Sequence, residues 1–332
     1  MSAEFRVLEL EIPLELNGFR LDGALARLLP EHSRTRIKGW IDAGRVDVGG
    51  LSSKPRSVVS AGDRVRVRLP AEETVVDVLP ERIPLAIVHQ DREVLVIDKP
   101  VGLVVHPGAG NPRHTLQNAL LAFDPSLAAL PRAGIVHRLD KDTSGLLMVA
   151  RTPEAHTILT RELMARSVSR EYRAVCVGVL TSGGTIDAPI GRHRTDRLRM
   201  AVRGDGRQAM THYRVLERFR GHTYLAVRLE TGRTHQIRLH LSHLKHPVVG
   251  DPVYGGRLRM PRGAGGELVE ALRALKHQAL HAARLAFDHP RTGKRLELEA
   301  ALPRDFESLL GMLREDARQA RREALAAQMG VR

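Results

Sequence analysis

Residues 71–84 read AEETVVDVLPERIP. Its like charges repel, and Pro80 and Pro84 supply no amide proton, so this stretch resists packing into a core. It is expected to be a linker, and the 332-residue chain must then build two separate cores. The expected division is a small unit over 18–80, a large unit over 85–312 and a basic tail over 313–332.

In the small unit, RLDGALARLL places Leu21, Leu25, Leu28 and Leu29 on one helical face. Ser33 is placed to cap a second helix, RTRIKGWIDAG, which stops at Gly44. RVDVGG and the strictly alternating DRVRVRLP follow as short strands. Residues 18–70 hold 11 Lys/Arg against 5 Asp/Glu. Arg34, Arg36, Lys38 and Arg45 gather around the second helix. A solvated helix face is one reading of such a cluster; a docking surface for RNA phosphates is the one favoured here.

The large unit has the pattern of an α+β domain with mostly antiparallel strands. LAIVHQDREVLVIDKPVGLVVHPG gives two strands and a Pro-Gly loop, and TLQNALLAF a helix. A helix starts at Pro153 with Thr152 as its cap. REYRAVCVGVL, THYRVLERF and HTYLAVRLE read as strands, and TGRTHQIRLHLSHL as one helix. Residues 191–207 carry six arginines and two aspartates, among them Arg192, Arg194 and Arg197, and read as a basic loop suited to phosphate.

The net charge of +14 points to a polyanionic partner, because Lys and Arg that neutralise phosphates release condensed counterions. Aromatic residues make up 3%, too few for a surface of many stacked bases. The single cysteine, Cys176, excludes an intrachain disulfide and a thiolate metal cluster. No apolar run is long enough for a membrane span and the N-terminus lacks the features of a signal peptide, so a cytoplasmic protein is expected. Walker A, G-x-G-x-x-G, G-x-S-x-G and H-E-x-x-H patterns are all missing, which removes support for ATP, dinucleotide, serine-hydrolase and zinc-protease chemistry. No cofactor and no metal are expected.

What remains is chemistry driven by an acid. GIVHRLDKDTSGLLMVAR sets Asp140 at the mouth of an apolar run, bracketed by Gly134 and Gly145, with Arg138, Lys141 and Arg151 near it in sequence. Asp142 is a rival, though Asp-Thr-Ser-Gly also suits an Asx turn. TGRTHQIRLHLSH supplies Arg233, His235, Arg238, His240 and His243. On one helix His240 and His243 share a face but His235, five residues before His240, would lie about 140° around from it, which argues against zinc. The arginines are the stronger signal, since a buried guanidinium holds a carboxylate in fixed geometry. Tyr172 lies in an alternating strand and is one of only 4 tyrosines.

Taken in order, IDKPVGLVVHPG, HRLDKDTSGLL, REYRAV, GRQAMTHYRVL, TGRTHQIRLHL and HPVVGDPVYG resemble the motif series of the large-ribosomal-subunit pseudouridine synthases of the A/D family. The likeness covers nearly the whole chain. RLDGALARLLP and SRTRIKGWIDAGRVDV resemble the S-four-type RNA-binding domain. Together with VHPG, that module is most similar to the D-type branch, whose substrate is a stem-loop of 23S rRNA. The departures are small: Arg170 and Arg207 stand where the family often has lysine.

The resemblance implies a mixed, mostly antiparallel pseudouridine synthase domain behind the small RNA-binding module. It implies Asp140 as the catalytic carboxylate, Tyr172 as the ring that stacks on the target base, and Arg238 as the arginine that holds the aspartate. Arg138, Arg233, His235 and Gln236 are expected to touch substrate, with Arg138 only supporting. The partner implied is ribosomal RNA, free or in a pre-ribosomal particle, with the enzyme a monomer. Attack by Asp140 on ribose C1′ and removal of the 2′ proton both remain open. Two readings stand against this one: a non-catalytic rRNA assembly factor, and a nuclease or glycosidase using Asp140 and Asp142.

Overall fold

A computed structural model describes residues 5–29, 32, 34–70, 78–108, 110–196 and 199–329. The chain divides into two compact units, Met1–Asp77 and Val78–Arg332. Among the described residues no helix is long and apolar enough to cross a membrane.

The first unit is built from β1 (Phe5–Glu11), α1 (Leu21–Leu28), α2 (Arg34–Asp42), β2 (Val46–Val48), β3 (Leu51–Ser52) and β4 (Arg64–Pro70). Its antiparallel sheet has the order β1-β4-β2-β3. The alternation read in DRVRVRLP is real: Val65 and Val67 are buried, while Arg64, Arg66 and Arg68 face out. Leu21 and Leu25 of α1 meet Ile37, Trp40 and Ile41 of α2 in the same core. Ser33, the expected cap, lies outside the described residues.

The linker reading needs correction at its C-terminal end. Residues 71–77 lie outside the described residues, but 78–84 pack onto the second unit. Val78 lies against its core, and the Asn118 amide donates to the Leu79 carbonyl at 2.8 Å. Glu81 accepts from the His114 amide at 3.0 Å.

The second unit begins with β5 (Ala86–Gln90), β6 (Val94–Lys99), α3 (Leu116–Phe123), β7 (Ser144–Ala150), α4 (Pro153–Ala165) and β8 (Ser169–Val177). It continues through β9 (Gly184–Asp187), β10 (Ile190–Arg192), β11 (Met200–Val202), β12 (Met210–Arg218), β13 (His222–Leu229) and α5 (Gln236–His243). It ends with α6 (Gly266–Ala274), β14 (Leu280–Asp288), β15 (Arg295–Glu299) and α7 (Arg304–Met329). The main sheet runs β5-β6-β7-β14-β8-β13-β12-β9, with β15 on β14. The β7–β14 pair is parallel and every other neighbour antiparallel.

All seven residues of β7 are buried. Leu147 and Val149 enter one core with Leu116 and Leu120 of α3 and Ile237 and Leu241 of α5. Leu146 and Met148 enter another, on the opposite face, with Leu159 of α4. Each such side chain contributes about 2 kcal/mol of hydrophobic stabilisation before entropy is subtracted. The segment after Asp140 is therefore anchored between two cores. Thr152 caps α4 as its sequence suggested, accepting from the Ala155 amide at 3.2 Å.

Two expectations change. The basic stretch 191–207 is not a plain loop, because β10 and β11 pair as an antiparallel hairpin. The end of the chain has no break at 312/313: α7 runs through that point, and Phe306, Leu309, Leu310 and Leu313 are buried against α6.

Candidate active site

The loop between a 3₁₀ turn at Pro131–Gly134 and β7 carries Asp140. It is held from three sides. Thr143 donates its amide to the Asp140 carbonyl at 3.1 Å. Gln278 donates to the Thr143 hydroxyl at 3.0 Å. Lys99, fully buried at the end of β6, donates to the carbonyls of Pro100, Leu103 and Lys141 at 2.7, 3.0 and 2.9 Å. Burial lowers the Lys99 pKa to about 8, against the opposing charges of Asp142, Asp140 and Asp98. Both bracketing glycines have positive φ, +79° at Gly134 and +109° at Gly145. A Cβ at either would collide with backbone, that of Ala150 or Ala282, so the loop closes this tightly only with glycine there.

Asp140 takes its cation from far away in the chain. Arg238 of α5 donates through Nη1 to Asp140 Oδ2 at 3.0 Å. Its Nε and Nη2 donate to the two oxygens of Asp251 at 2.7 and 2.9 Å. Asp251 also accepts from the amides of Val253 and Tyr254 at 2.8 and 2.9 Å. Burial alone would raise the Asp251 pKa, but the hydrogen bonds and charge of Arg238 outweigh it and hold the carboxylate below its usual range. Burial opposes the charge on Arg238, and Asp251 followed by Asp140 more than restores it. The nearby basic residues do not play this part. Arg151 pairs with Asp124 at 2.9 Å, Lys141 is exposed, and Arg138 is exposed at the cavity wall.

Asp140 and Tyr172 line one cavity of about 500 Å³, together with Arg138, Arg233, His235, Gln236 and Arg238. Asp142 is not part of its wall. Tyr172 and Arg170 point the same way from β8, and burial raises the Tyr172 pKa. His137 accepts from the Met148 amide through Nε2 at 3.0 Å, which places its proton on Nδ1. Burial, reinforced by Arg170, drives its pKa down to about 3.

The TGRTHQIRLHLSHL stretch is not helical throughout; α5 starts at Gln236. His235 before it is left-handed at φ 57°, an uncommon geometry for a non-glycine residue that recurs at functional sites. The Tyr254 hydroxyl accepts from the Met200 amide at 2.8 Å and is hydrogen-bonded to His235 Nδ1 at 2.9 Å. His235 Nε2 lies 3.9 Å from Asp140 Oδ1. Burial lowers the His235 pKa against the pull of Asp140.

Gln236 differs from its expected role. Its Oε1 accepts from Thr231 and from the Arg233 amide at 2.8 and 3.0 Å. Its Nε2 donates to Met210 and Thr211, both at 3.0 Å. All four bonding positions are filled by protein, so it shapes the loop and has nothing left for a ligand. His240 bonds Thr211 and the Ala188 carbonyl, so it and His235 serve separate networks.

The expected RNA-contacting residues are scattered. Arg192 and Arg194 are exposed on the hairpin, outside the cavity wall, and Arg197 lies outside the described residues. In the first unit Lys38 is exposed, and Arg36 lies over the Trp40 ring, 5.8 Å from its centroid. Arg45 is half-buried. Arg34 binds Asp22 at 3.0 Å, a tie between α1 and α2, yet its side chain is still 57% exposed. Sequence reasoning did not assign Asp251, Tyr254, Lys99 or His137. The available signal was a lone acid and tyrosine in HPVVGDPVYG, and a lysine inside a strand pattern that buries its neighbours.

The family model described as RNA pseudouridylate synthase matches residues 93–243, and an S4 domain model matches 19–65. The chain is 56% identical over 309 residues to ribosomal large subunit pseudouridine synthase D of Xanthomonas campestris, covering 93% of each. It is 57% identical over 306 residues to the Pseudomonas aeruginosa protein of the same name, covering 92% of this chain and 95% of that one. Among solved structures it is similar to human RNA pseudouridylate synthase domain containing 4, with a TM-score of 0.55 and 28% identity over 69% of this chain and 93% of that one.

Proposed function

The chain belongs to the RNA pseudouridylate synthase family, and from that premise we propose that Asp140, Tyr172 and Arg238 convert uridine to pseudouridine in the RNA of the large ribosomal subunit. The relatives named for that subunit motivate the choice of RNA. The substrate element is a stem-loop of 23S rRNA, and the enzyme acts as a cytoplasmic monomer.

The reaction breaks the bond between ribose C1′ and uracil N1, turns the base and joins C1′ to C5. Electron demand develops at C1′, and a carboxylate is the fitting partner, as in glycoside cleavage. Arg238 occupies Asp140 Oδ2, while Oδ1 accepts no hydrogen bond from a described residue and is the oxygen offered to the sugar. It bonds to C1′ or removes the 2′ proton; each course uses the same atom. The uridine is extruded from its stack, at a cost of a few kcal/mol, and its base lies on Tyr172. Arg138 and Arg233 meet the flanking phosphates, and His235 faces the sugar beside Asp140. Arg34, Arg36, Lys38 and Arg45, with Arg192, Arg194 and Arg197, add phosphate contacts farther out.

One observation carries this reading: a carboxylate clamped by a guanidinium shares a cavity with a buried tyrosine. Its test is tritium release from large-subunit rRNA labelled at uridine C5. The expected result is release with RNA of unchanged mass. Stoichiometric binding without release would support an assembly factor, and shortened or abasic RNA a nuclease or glycosidase; either result overturns the proposal.

A further inference from the structure

Arg170 is 8% exposed and lines the cavity. Its Nε has no hydrogen-bond partner, and no described carboxylate pairs with the guanidinium. An unpaired buried charge is costly, by several kcal/mol after relaxation, so such a group points to an anion that arrives with the substrate. A Cβ on Gly232 would stand 2.6 Å from Arg170 Nη1, so a larger residue there would push the end of the guanidinium aside.

The two buried arginines of the cavity wall differ. Arg238 is paired with both Asp140 and Asp251, so its charge is already compensated. Arg170, two residues along the same face of β8 from Tyr172, has no described carboxylate within salt-bridge distance. Arg132, Arg138 and Arg166 are exposed at the cavity mouth and suit the hydrated phosphates of a continuous chain. An extruded base is the part of the substrate that reaches deeper.

We propose that Arg170 is a catalytic residue that receives the negative charge of the detached uracil, donating hydrogen bonds to its carbonyl oxygens. The inference rests on the reading that the target base lies on Tyr172. When C1′–N1 breaks, the bonding electron pair leaves with the base as a uracil anion delocalised over N1, O2 and O4. C1′ is taken by the Asp140 oxygen, or Asp140 takes the 2′ proton. After the base turns, C5 bonds to C1′ as the Asp140–C1′ bond breaks, or as Asp140 returns the proton to C2′; the C5 proton then departs to water and N1 takes up a proton from water. Because the charge is absent from bound uridine and present in the cleavage transition state, the guanidinium acts on rate more than on binding. His137, whose protonation both burial and Arg170 oppose, is a neutral neighbour that does not compete for the anion.

The test uses full-length enzyme in excess over C5-tritiated RNA, comparing wild type with Arg170→Met and Arg170→Lys. Losing one such donor should slow single-turnover release about 10²–10³-fold, with the Kd for RNA within about twofold and its salt dependence unchanged. Arg170→Lys should recover at least about tenfold of that loss, and added methylguanidinium should speed Arg170→Met. An unchanged rate overturns the proposal. So does a weaker Kd with a salt slope smaller by about one, which would make Arg170 a phosphate contact. A lower melting temperature with wild-type release per folded molecule makes it structural. If Arg170→Met does not fold, the same comparison with Arg170→Gln and Arg170→Lys decides. Failure of the wild type to release tritium would sink the parent reading; normal release by the wild type with unslowed release by the variants sinks only this one.

Discussion

Asp251→Asn tests whether Arg238 is held from behind. Asp251 takes two charge-assisted bonds from Arg238 at 2.7 and 2.9 Å, and its Oδ1 caps two amides. Asparagine keeps one oxygen for those amides but turns an NH₂ group toward the guanidinium. The buried cation then has only Asp140 as counter-charge. Breaking a buried pair from one side costs about 3–5 kcal/mol. Asp140 offsets part of this, so about 3 kcal/mol is expected, which lowers Tm by roughly 6–12 °C for a unit of this size. Urea and thermal denaturation of Asp251→Asn, Arg238→Met and the double variant form the assay. With the cation already removed, Asp251→Asn should cost less than about 1 kcal/mol or even stabilise, a coupling of about 2 kcal/mol or more. Additive costs would refute the reasoning.

Two further outcomes follow from other parts of the molecule. With a folded-state pKa of about 3, His137 binds its proton more weakly than in the unfolded chain, where about 6.5 applies; the unfolded state therefore gains protons first as pH falls. Stability should drop from about pH 6.5 downward, by about 2 kcal/mol at pH 5, and His137→Gln should flatten the slope in denaturation measured against pH. Removing residues 1–77, a cut that spares the packed segment 78–84, should weaken RNA binding and reduce the slope of log Kd against log salt. Equal slopes for the two forms would show that the first unit touches no phosphate.

Short-range pattern was enough for much of the fold. Proline after threonine marked the start of α4 and alternation marked β4 and β8; the apolar run after Asp140 forms β7, buried on both faces. Long-range pairing was not readable from the residues alone. Asp140 and Arg238 stand 98 positions apart, and only the family likeness joined them before their geometry was seen. The sequence neighbours Arg138, Lys141 and Arg151 made the more obvious cations, yet Arg151 is drawn away by Asp124. TGRTHQIRLHLSHL read as one helix, but Gln236 and a left-handed His235 close its first five residues as a loop. The Arg/Ala-rich end looked like a polar tail because the apolar residues that anchor α7 lie in its first three turns.

The most direct measurement is made on Asp140→Asn: single-turnover tritium release and RNA affinity, determined side by side on the same preparation. The account predicts release slowed by at least about 10³-fold while Kd stays within about threefold of wild type. Release near the wild-type rate would contradict it, because the carboxylate clamped by Arg238 would then have no part in breaking the glycosidic bond.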